Sequence, residues 1–482
     1  MTIPATYIIV DIGTGNVRVA AAASSGNVLG VAREDISYVK DPLYPDALYF
    51  NPDQLWQQVL GLAAQVLAKV PAASVKAITA TSQREGIVLL SADGRSLIGL
   101  PNIDHRGREW EDLIRDKSSM YRITGRYPTS LFSALKLVGI RERRPELWKD
   151  CATFLSISNW IEYKLSGLAR YEHSQASETL LYDVAQQQWS PALCEVFKLD
   201  RAMLPPLAAS ATVLGNMLPA VAQQLGVPEE TQIVVGGGDT QLAIKSTRPA
   251  VNDMVIVSGT TTPIVKLTST YTLDDEERTW TSRDIENGRF VFEANAGVTG
   301  LNYQRLKEIF YPNEGYEVIE QELAEKPQTL CMASLGSLLA DEEVSLTRGG
   351  FIFHAPVSHL LSRSSFVWAT MLDIACSIAK NYRILAEVAG HEPDYIWGCG
   401  GGLQSRALRQ LIANLTGKKV QMRYEYQQSS AVGGALICNE ALQVDIKMDD
   451  RVEVVHPAET EYAAMLYAEW EKTRGYFRNM NG

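Results

Sequence analysis

Two carboxylates in this chain stand beside runs of very small residues, a pairing that suggests phosphate chemistry. Asp11 closes the apolar stretch Tyr7-Ile8-Ile9-Val10 and precedes Ile12-Gly13-Thr14-Gly15-Asn16. A tip of Gly, Thr and Asn offers backbone N–H groups without bulky side chains, and the Thr14 hydroxyl adds a donor, so the tip can hold phosphate oxygens. Asp11 could then hold a hydrated Mg²⁺ bridging those oxygens. Asp239 follows Gly236-Gly237-Gly238 and opens a predicted helix, where the helix dipole should stabilise its carboxylate and keep it ionised. A carboxylate so placed could accept a hydroxyl proton while the helix N-terminus and the metal neutralise phosphoryl charge. Together these features imply phosphoryl transfer to an alcohol. Separately each has a plainer reading, Asp239 as a helix N-cap and Asp11 as the end of a strand entering a turn.

Other nucleotide and hydrolase fingerprints fail. No G-x-x-x-x-G-K-[ST] occurs, so a P-loop is excluded. The turn Gly13-x-Gly15-x-x-Arg18 lacks the third glycine of a dinucleotide fold, and Gly398-Cys399-Gly400-Gly401-Gly402-Leu403 misses its spacing, which disfavours an NAD-linked dehydrogenase. There is neither a G-x-S-x-G elbow nor an H-E-x-x-H pair.

The elements that must position these residues are legible. Tyr7–Ala20 reads as strand, glycine turn, strand, which predicts a hairpin with a small-residue tip. Leu55, Val59, Leu60, Leu62, Ala63, Val66 and Leu67 recur at helical spacing across residues 53–70, and Val75–Ala80 reads as a strand. Strand–helix alternation implies an α/β layer architecture. About 245 residues downstream the hairpin pattern returns as Met254–Val257, Ser258-Gly259-Thr260-Thr261-Thr262, then Pro263–Leu267, suggesting two similar halves. The turn-forming cluster Arg248–Asn252 places a boundary between residues 1–247 and 248–482.

The chain has 482 residues, enough for roughly two to four domains, and 46% of them are hydrophobic. With 45 Lys and Arg against 56 Asp and Glu, the net charge of -11 disfavours nucleic-acid binding but does not forbid a nucleotide in a local pocket. The six cysteines form no C-x-x-C and read as small buried hydrophobes in a reducing compartment. Met1-Thr2-Ile3-Pro4 has no basic leader pattern, and no apolar run approaches the roughly 20 residues that span a bilayer, so a cytoplasmic chain without membrane contact is expected.

At these residues the sequence resembles the FGGY carbohydrate kinases of the actin-like ATPase superfamily. The matching stretches are Asp11-x-Gly13-Thr14, Ser82-Gln83-Arg84-Glu85-Gly86, Asn102-Ile103-Asp104-His105-Arg106, Ser133-x-x-Lys136-Leu137, Gly236–Asp239, Ser258–Thr261 and Gly400–Ser405. Their order and spacing span nearly the whole chain. The resemblance implies two ribonuclease-H-like domains flanking a central cleft, with the sugar on the N-terminal side and the nucleotide on the C-terminal side. It implies Asp239 as catalytic base and Asp11 as the Mg²⁺ ligand. Thr14, Gly15, Asn16, Gly259, Thr260 and Thr261 would contact ATP phosphates, and Gly401, Gly402, Gln404 and Ser405 would line the adenine and ribose site. Arg84, Glu85 and Asp104 would bind hydroxyls of a small sugar or polyol. Arg84-Glu85 has a plainer reading as a surface ion pair, disfavoured because the pair follows a buried-looking strand, and without the resemblance Gly400–Gly402 reads equally as a strand-to-helix turn.

Arg84-Glu85 is similar to the autoinducer-2 kinase and glycerol kinase branch, whereas xylulokinases usually carry Met-His there. Asn102 and Leu131 stand where glycerol kinases place a tryptophan and a tyrosine. Gln428 replaces a common glutamate, Glu172 a usual aspartate, Gly139 stands near a signature tryptophan, and Leu339–Ser362 lacks a recognisable family segment. Implied partners are ATP and the sugar, with a homodimer left open. The competing reading is an actin-like ATP-binding regulator that phosphorylates no small molecule.

Overall fold

The computed structural model describes residues 5–325, 330–342, 346–446 and 448–481. The stretch Met1–Pro4, read above for a leader, and residues 343–345 of the 339–362 span lie outside the described residues. The chain divides into two compact units. One comprises Met1–Ser246, Ser269–Val291 and Gln428–Asp449; the other comprises Thr247–Thr268, Phe292–Gln427 and Asp450–Gly482.

The first unit is built on a six-stranded sheet of β1 (Thr6–Ile12), β2 (Asn16–Ala23), β3 (Val28–Asp35), β4 (Val75–Ser82), β5 (Val213–Asn216) and β6 (Gln232–Gly238), ordered β5-β6-β4-β1-β2-β3. β1 and β2 form the predicted hairpin, with Asp11 opposite Arg18. On its other edge β1 runs parallel to β4, with Asp11 opposite Thr81, and β4 runs parallel to β6. Both faces of β1 are covered, which is why it reads as a continuous apolar run rather than an alternation. Ile8, Val10 and Ile12 join the core containing α1 (Pro52–Leu67), α2 (Ser133–Arg143) and α3 (Ile157–Ser166). Tyr7 and Ile9 face Leu242, Ala435, Ile437 and Cys438 on the opposite side. α1 starts at the Asn51 cap, which accepts from the Asp53 and Gln54 amides, and ends before the predicted residue 70 because the chain leaves the helix at Ala68.

The last segment of this unit contributes the helix Ser429–Ala441, which packs through glycines. A Cβ on Gly433 would lie 2.0 Å from the carbonyl oxygen of Leu242, and one on Gly434 would lie 2.7 Å from the Ile9 side chain. Leu242 belongs to α4 (Asp239–Thr247), so this contact also fixes the helix that Asp239 opens.

In the second unit β7 (Met254–Val257), β8 (Thr261–Thr268), β9 (Phe290–Val298), β10 (Tyr395–Cys399), β11 (Lys419–Arg423) and β12 (Val452–Val455) lie in the order β9-β8-β7-β10-β11-β12. β7 and β8 form the second predicted hairpin, and β7 runs parallel to β10, repeating the hairpin-plus-parallel-strand arrangement of β1, β2 and β4. Helices α5 (Gly300–Phe310), α6 (Arg363–Ala389), α7 (Arg406–Thr416) and α8 (Thr460–Asn481) complete it. Both units are mixed α/β, as expected. All six cysteines are free thiols. Among the described residues no helix is long and apolar enough to cross a membrane.

Because a new methyl at Gly433 meets backbone rather than a movable side chain, Gly433→Ala should destabilise the protein by about 1–3 kcal/mol. Denaturant unfolding checks this; an unchanged midpoint would mean that the helix shifts freely and does not fix α4.

Candidate active site

The β1–β2 tip is braced from below. The Gly13 amide donates to the Asn16 carbonyl (2.9 Å), and the Gln83 amide donates to the Ile12 carbonyl (2.7 Å). The Gln83 side chain donates to the Gly13 carbonyl (3.1 Å), and the Tyr38 hydroxyl donates to the Thr14 carbonyl (2.7 Å). Asn102 donates to the Thr14 hydroxyl (2.9 Å), so Thr14 can turn its own proton outward to a ligand oxygen. Gly15 is exposed, and a Cβ there would meet nothing within 4 Å, so its bareness leaves room over the tip. Asp11, half-buried, accepts from the Ser430 hydroxyl at 2.6 Å, and Arg18 hydrogen-bonds the Gln428 side chain. Gln428, where the resemblance leads one to expect a glutamate, thus holds the second residue of the Asp11–Arg18 cross-strand pair.

Arg84 and Glu85 are buried, not a surface pair. They occupy a tight turn in which the Gly86 amide donates to the Arg84 carbonyl (2.7 Å) and Glu85 sits at φ 61. A non-glycine residue in this region costs about 1 kcal/mol or more and persists only where its surroundings hold it. The holder is α2. The Ser133 hydroxyl donates to the Glu85 carbonyl (3.1 Å), and the fully buried Lys136 ammonium donates to the carbonyls of Glu85 (3.0 Å), Pro101 (2.9 Å) and Asn102 (3.3 Å). One ammonium thereby ties the Arg84–Glu85 turn to the loop that braces Thr14. Burial, then the charge of Glu178, push the Glu85 carboxyl well above the usual carboxylate range, against the pull of Arg84, Lys136 and Arg126.

Three glycines lead to Asp239 because the end of β6 has no room for side chains. A Cβ on Gly236 would lie 1.9 Å from the Ala80 carbonyl oxygen on β4, one on Gly237 2.7 Å from Ile285, and one on Gly238 2.4 Å from Gln241 and 3.6 Å from Arg84. The Gly236 amide donates to Glu162 (2.7 Å), the Gly238 amide to the Ser174 hydroxyl (3.0 Å), and Thr81 donates to the Gly237 carbonyl (2.8 Å). Asp239 keeps some exposed surface, while its neighbours crowd the carboxyl. It accepts from the amide of Thr240 (2.7 Å), an adjacent residue, rather than capping deeper amides of α4. Burial pushes this carboxyl up to about 6; Arg84 pulls it down, Asp11 pushes it up, and the Thr240 bonds pull it down again. Loss of water is the largest of these influences, so the carboxyl holds its proton more tightly than a solvated aspartate while staying ionised at neutral pH, as its place at the helix start led one to expect. A carboxyl near 6 could serve as a base, since it is ionised at neutral pH yet holds a proton better than an ordinary aspartate.

In the second unit, Gly259, Thr260 and Thr261 form the exposed tip of the β7–β8 hairpin. The Thr260 carbonyl accepts from the Thr299 amide (3.2 Å), and a Cβ on Gly300 would lie 2.1 Å from the Gly259 carbonyl oxygen, so the start of α5 is pressed against the tip. The Gly402 amide donates to the Ser258 carbonyl (2.9 Å), and a Cβ on Gly400, at φ 96, would lie 2.3 Å from the same oxygen. The structure therefore brings Gly259–Thr261 and Gly401–Gly402 into one neighbourhood, with Gln404 exposed beside them.

Two expected ligand contacts are otherwise engaged. Asp104 is fully buried and accepts from the Leu48 amide (2.9 Å) and Arg106 (2.7 Å), so it braces the loop rather than offering an oxygen to a substrate. Ser405 is buried, and its hydroxyl caps α7 by accepting from the Leu408 amide (3.2 Å). Lys136, Glu178, Tyr38 and Gln83 matter more than the sequence indicates. The signals for Lys136 and Glu178 were present as single charges inside or beside apolar runs, Leu135-Lys136-Leu137-Val138 and Glu178-Thr179-Leu180-Leu181. Among the described residues no three His, Cys, Asp or Glu cluster as a metal cage.

Residues 6–245 match the FGGY family of carbohydrate kinases, N-terminal domain, and residues 345–442 match its C-terminal domain. The chain is 49% identical over 473 residues to a Bacillus subtilis (strain 168) protein named "Putative sugar kinase YoaC", covering 98% of this chain and 97% of that protein. It is 25% identical over 481 residues to the autoinducer-2 kinase of Yersinia pseudotuberculosis serotype O:3 (strain YPIII), covering 94% of this chain and 89% of that one. Its fold is similar to that of the xylulose kinase of Lactobacillus acidophilus, with a TM-score of 0.84 at 16% identity across 99% of both chains.

Site-specific NMR titration of the Asp239 carboxyl should give a midpoint near 6. Arg84→Met should raise it, because the lost cation favoured the ionised form, and Asp11→Asn should lower it by removing a like charge. A midpoint near 4, or either variant moving it in the opposite sense, would contradict the electrostatics described.

Proposed function

Because the chain belongs to the FGGY family of carbohydrate kinases, we propose that it transfers the γ-phosphate of ATP to a hydroxyl of a small sugar, polyol or autoinducer-2-like acceptor, with Asp239 as general base. The observation that carries this reading is the Asp239 carboxylate beside Arg84, poised near neutrality by burial. Asp239 takes the acceptor's hydroxyl proton as that oxygen bonds to the γ-phosphorus, and the bond from phosphorus to the bridging oxygen of ADP breaks. Arg84 and Glu85 hold acceptor hydroxyls, their turn fixed by Lys136. The Thr14–Asn16 tip and the Gly259–Thr261 tip present amides and hydroxyls to the phosphates. Gly401, Gly402 and Gln404 flank the base and ribose, and Ser405 contributes by capping α7.

Asp11 fits Mg²⁺. This ion usually keeps several waters and binds through one or two carboxylates plus substrate phosphates, so a single half-buried aspartate, with no cage of His, Cys, Asp or Glu among the described residues, is a donor set it takes. When bound, the ion would neutralise charge developing on the phosphates. We place the activity in the cytoplasm, where ATP is supplied and free thiols stay reduced.

Asp239→Asn should bind ATP as the wild type does and lose turnover by a factor on the order of 10²–10⁴. ADP release across a panel of sugars, polyols and autoinducer-2 checks both the acceptor and the base. Near-normal turnover in the variant removes Asp239 from the mechanism. Slow basal hydrolysis stimulated by no acceptor would favour the ATP-binding regulator.

A further inference from the structure

Behind Arg84 lies an ion pair that the chemistry above does not use. Arg126 is fully buried, its guanidinium lies 4.9 Å from the Trp280 ring centroid, and it hydrogen-bonds Glu178 Oε1. Glu178 is also fully buried, and the same oxygen stands 3.8 Å from Arg84 Nη1. One carboxylate oxygen is therefore shared by two guanidinium groups, one of which belongs to the proposed acceptor site.

In this pair, buried polar atoms lack hydrogen-bond partners among the described residues. They are Arg126 Nε and Nη1 and Glu178 Oε2. Buried donors and acceptors are almost always satisfied, by protein, water or ligand. The pair itself carries both kinds, two donor atoms and one acceptor. A hydroxyl donates and accepts, so a ligand rich in neutral hydroxyls, directly or through a bridging water, can answer all three. A carboxylate only accepts; it would satisfy Arg126 but would bring a second negative charge beside the buried Glu178 carboxylate.

We propose that the buried Glu178–Arg126 pair positions Arg84 and selects neutral polyhydroxylated acceptors, ketoses or alditols, over aldonates. This rests on the reading that Arg84 and Asp239 face the acceptor. Glu178 is a positioning residue: it fixes the guanidinium that meets the substrate, and its charge repels an acid in that place.

The test compares D-xylulose, D-ribulose, glycerol and erythritol with D-gluconate and D-xylonate, in the wild type and in Glu178→Gln. The wild type should favour the best neutral acceptor by at least about tenfold in kcat/KM. Glu178→Gln should lower kcat/KM for that acceptor by about tenfold to hundredfold, through its KM, leave KM for ATP unchanged, and move the neutral-to-aldonate ratio toward the aldonate by at least about tenfold. Glu178→Asp, which keeps the charge, should preserve the ratio even if overall activity falls. Wild-type preference for an aldonate overturns the proposal, as does an unchanged ratio in Glu178→Gln or a KM for ATP that rises in parallel. Should Glu178→Gln fail to fold with Arg126 left unpaired, the double variant Arg126→Met/Glu178→Gln carries the same expected shift, and the wild-type panel decides if neither variant folds. An active Asp239→Asn would defeat the underlying site reading, whereas an inactive one with an unmoved ratio would defeat only the selection by Glu178.

Discussion

The contact between the end of β6 and β4 is the constraint from which the proposed chemistry follows. With 1.9 Å between a would-be Cβ on Gly236 and the Ala80 carbonyl, the strand admits no side chain there, and the two glycines after it are hemmed in by Ile285 and by Gln241 and Arg84. The chain emerging from this crowded place begins α4 with Asp239 as its first residue. Crowding strips this carboxylate of water, so the packing that starts α4 at Asp239 also sets how tightly the group holds a proton, with the Arg84 charge pulling the other way.

Glycines serve two different ends in this protein. Those of β6, together with Gly433 and Gly434, are required by close backbone approach, and a methyl group at them collides with main chain or core. Gly15 meets no protein atom within 4 Å, and Gly259 and Gly401 meet only an ordinary contact at 3.6 Å or beyond. Their bareness leaves room over the tips for the proposed ligand. The Lys136 ammonium joins the two kinds of region. By gathering the carbonyls of Glu85, Pro101 and Asn102 it makes the geometry of the acceptor turn depend on that of the loop bracing Thr14.

Much of this was legible in the sequence wherever the signal was local. Both hairpins, α1 and β4 could be read because apolar periodicity and glycine placement act over a few residues. The proton affinity of Asp239 was not legible: helix position pointed only to an ionised group, and the packed structure shows that desolvation raises its hold on a proton. Asp104 illustrates the same limit, since its partners Leu48 and Arg106 arrive from a loop 56 residues away and from two residues on. Glu178 lies 52 residues from Arg126, with no spacing to advertise the pair. Burial and long-range charge pairing are properties of the fold, and they decide which side chains remain available for chemistry.

The most direct test of Asp239 as the base is an experimental structure of the wild-type protein with a non-hydrolysable ATP analogue, Mg²⁺ and its best acceptor. One acceptor hydroxyl should lie within about 3 Å of an Asp239 carboxylate oxygen, with Arg84 on a neighbouring hydroxyl. An acceptor bound in productive line with the γ-phosphate but with no hydroxyl in reach of Asp239, directly or through one water, would contradict that role.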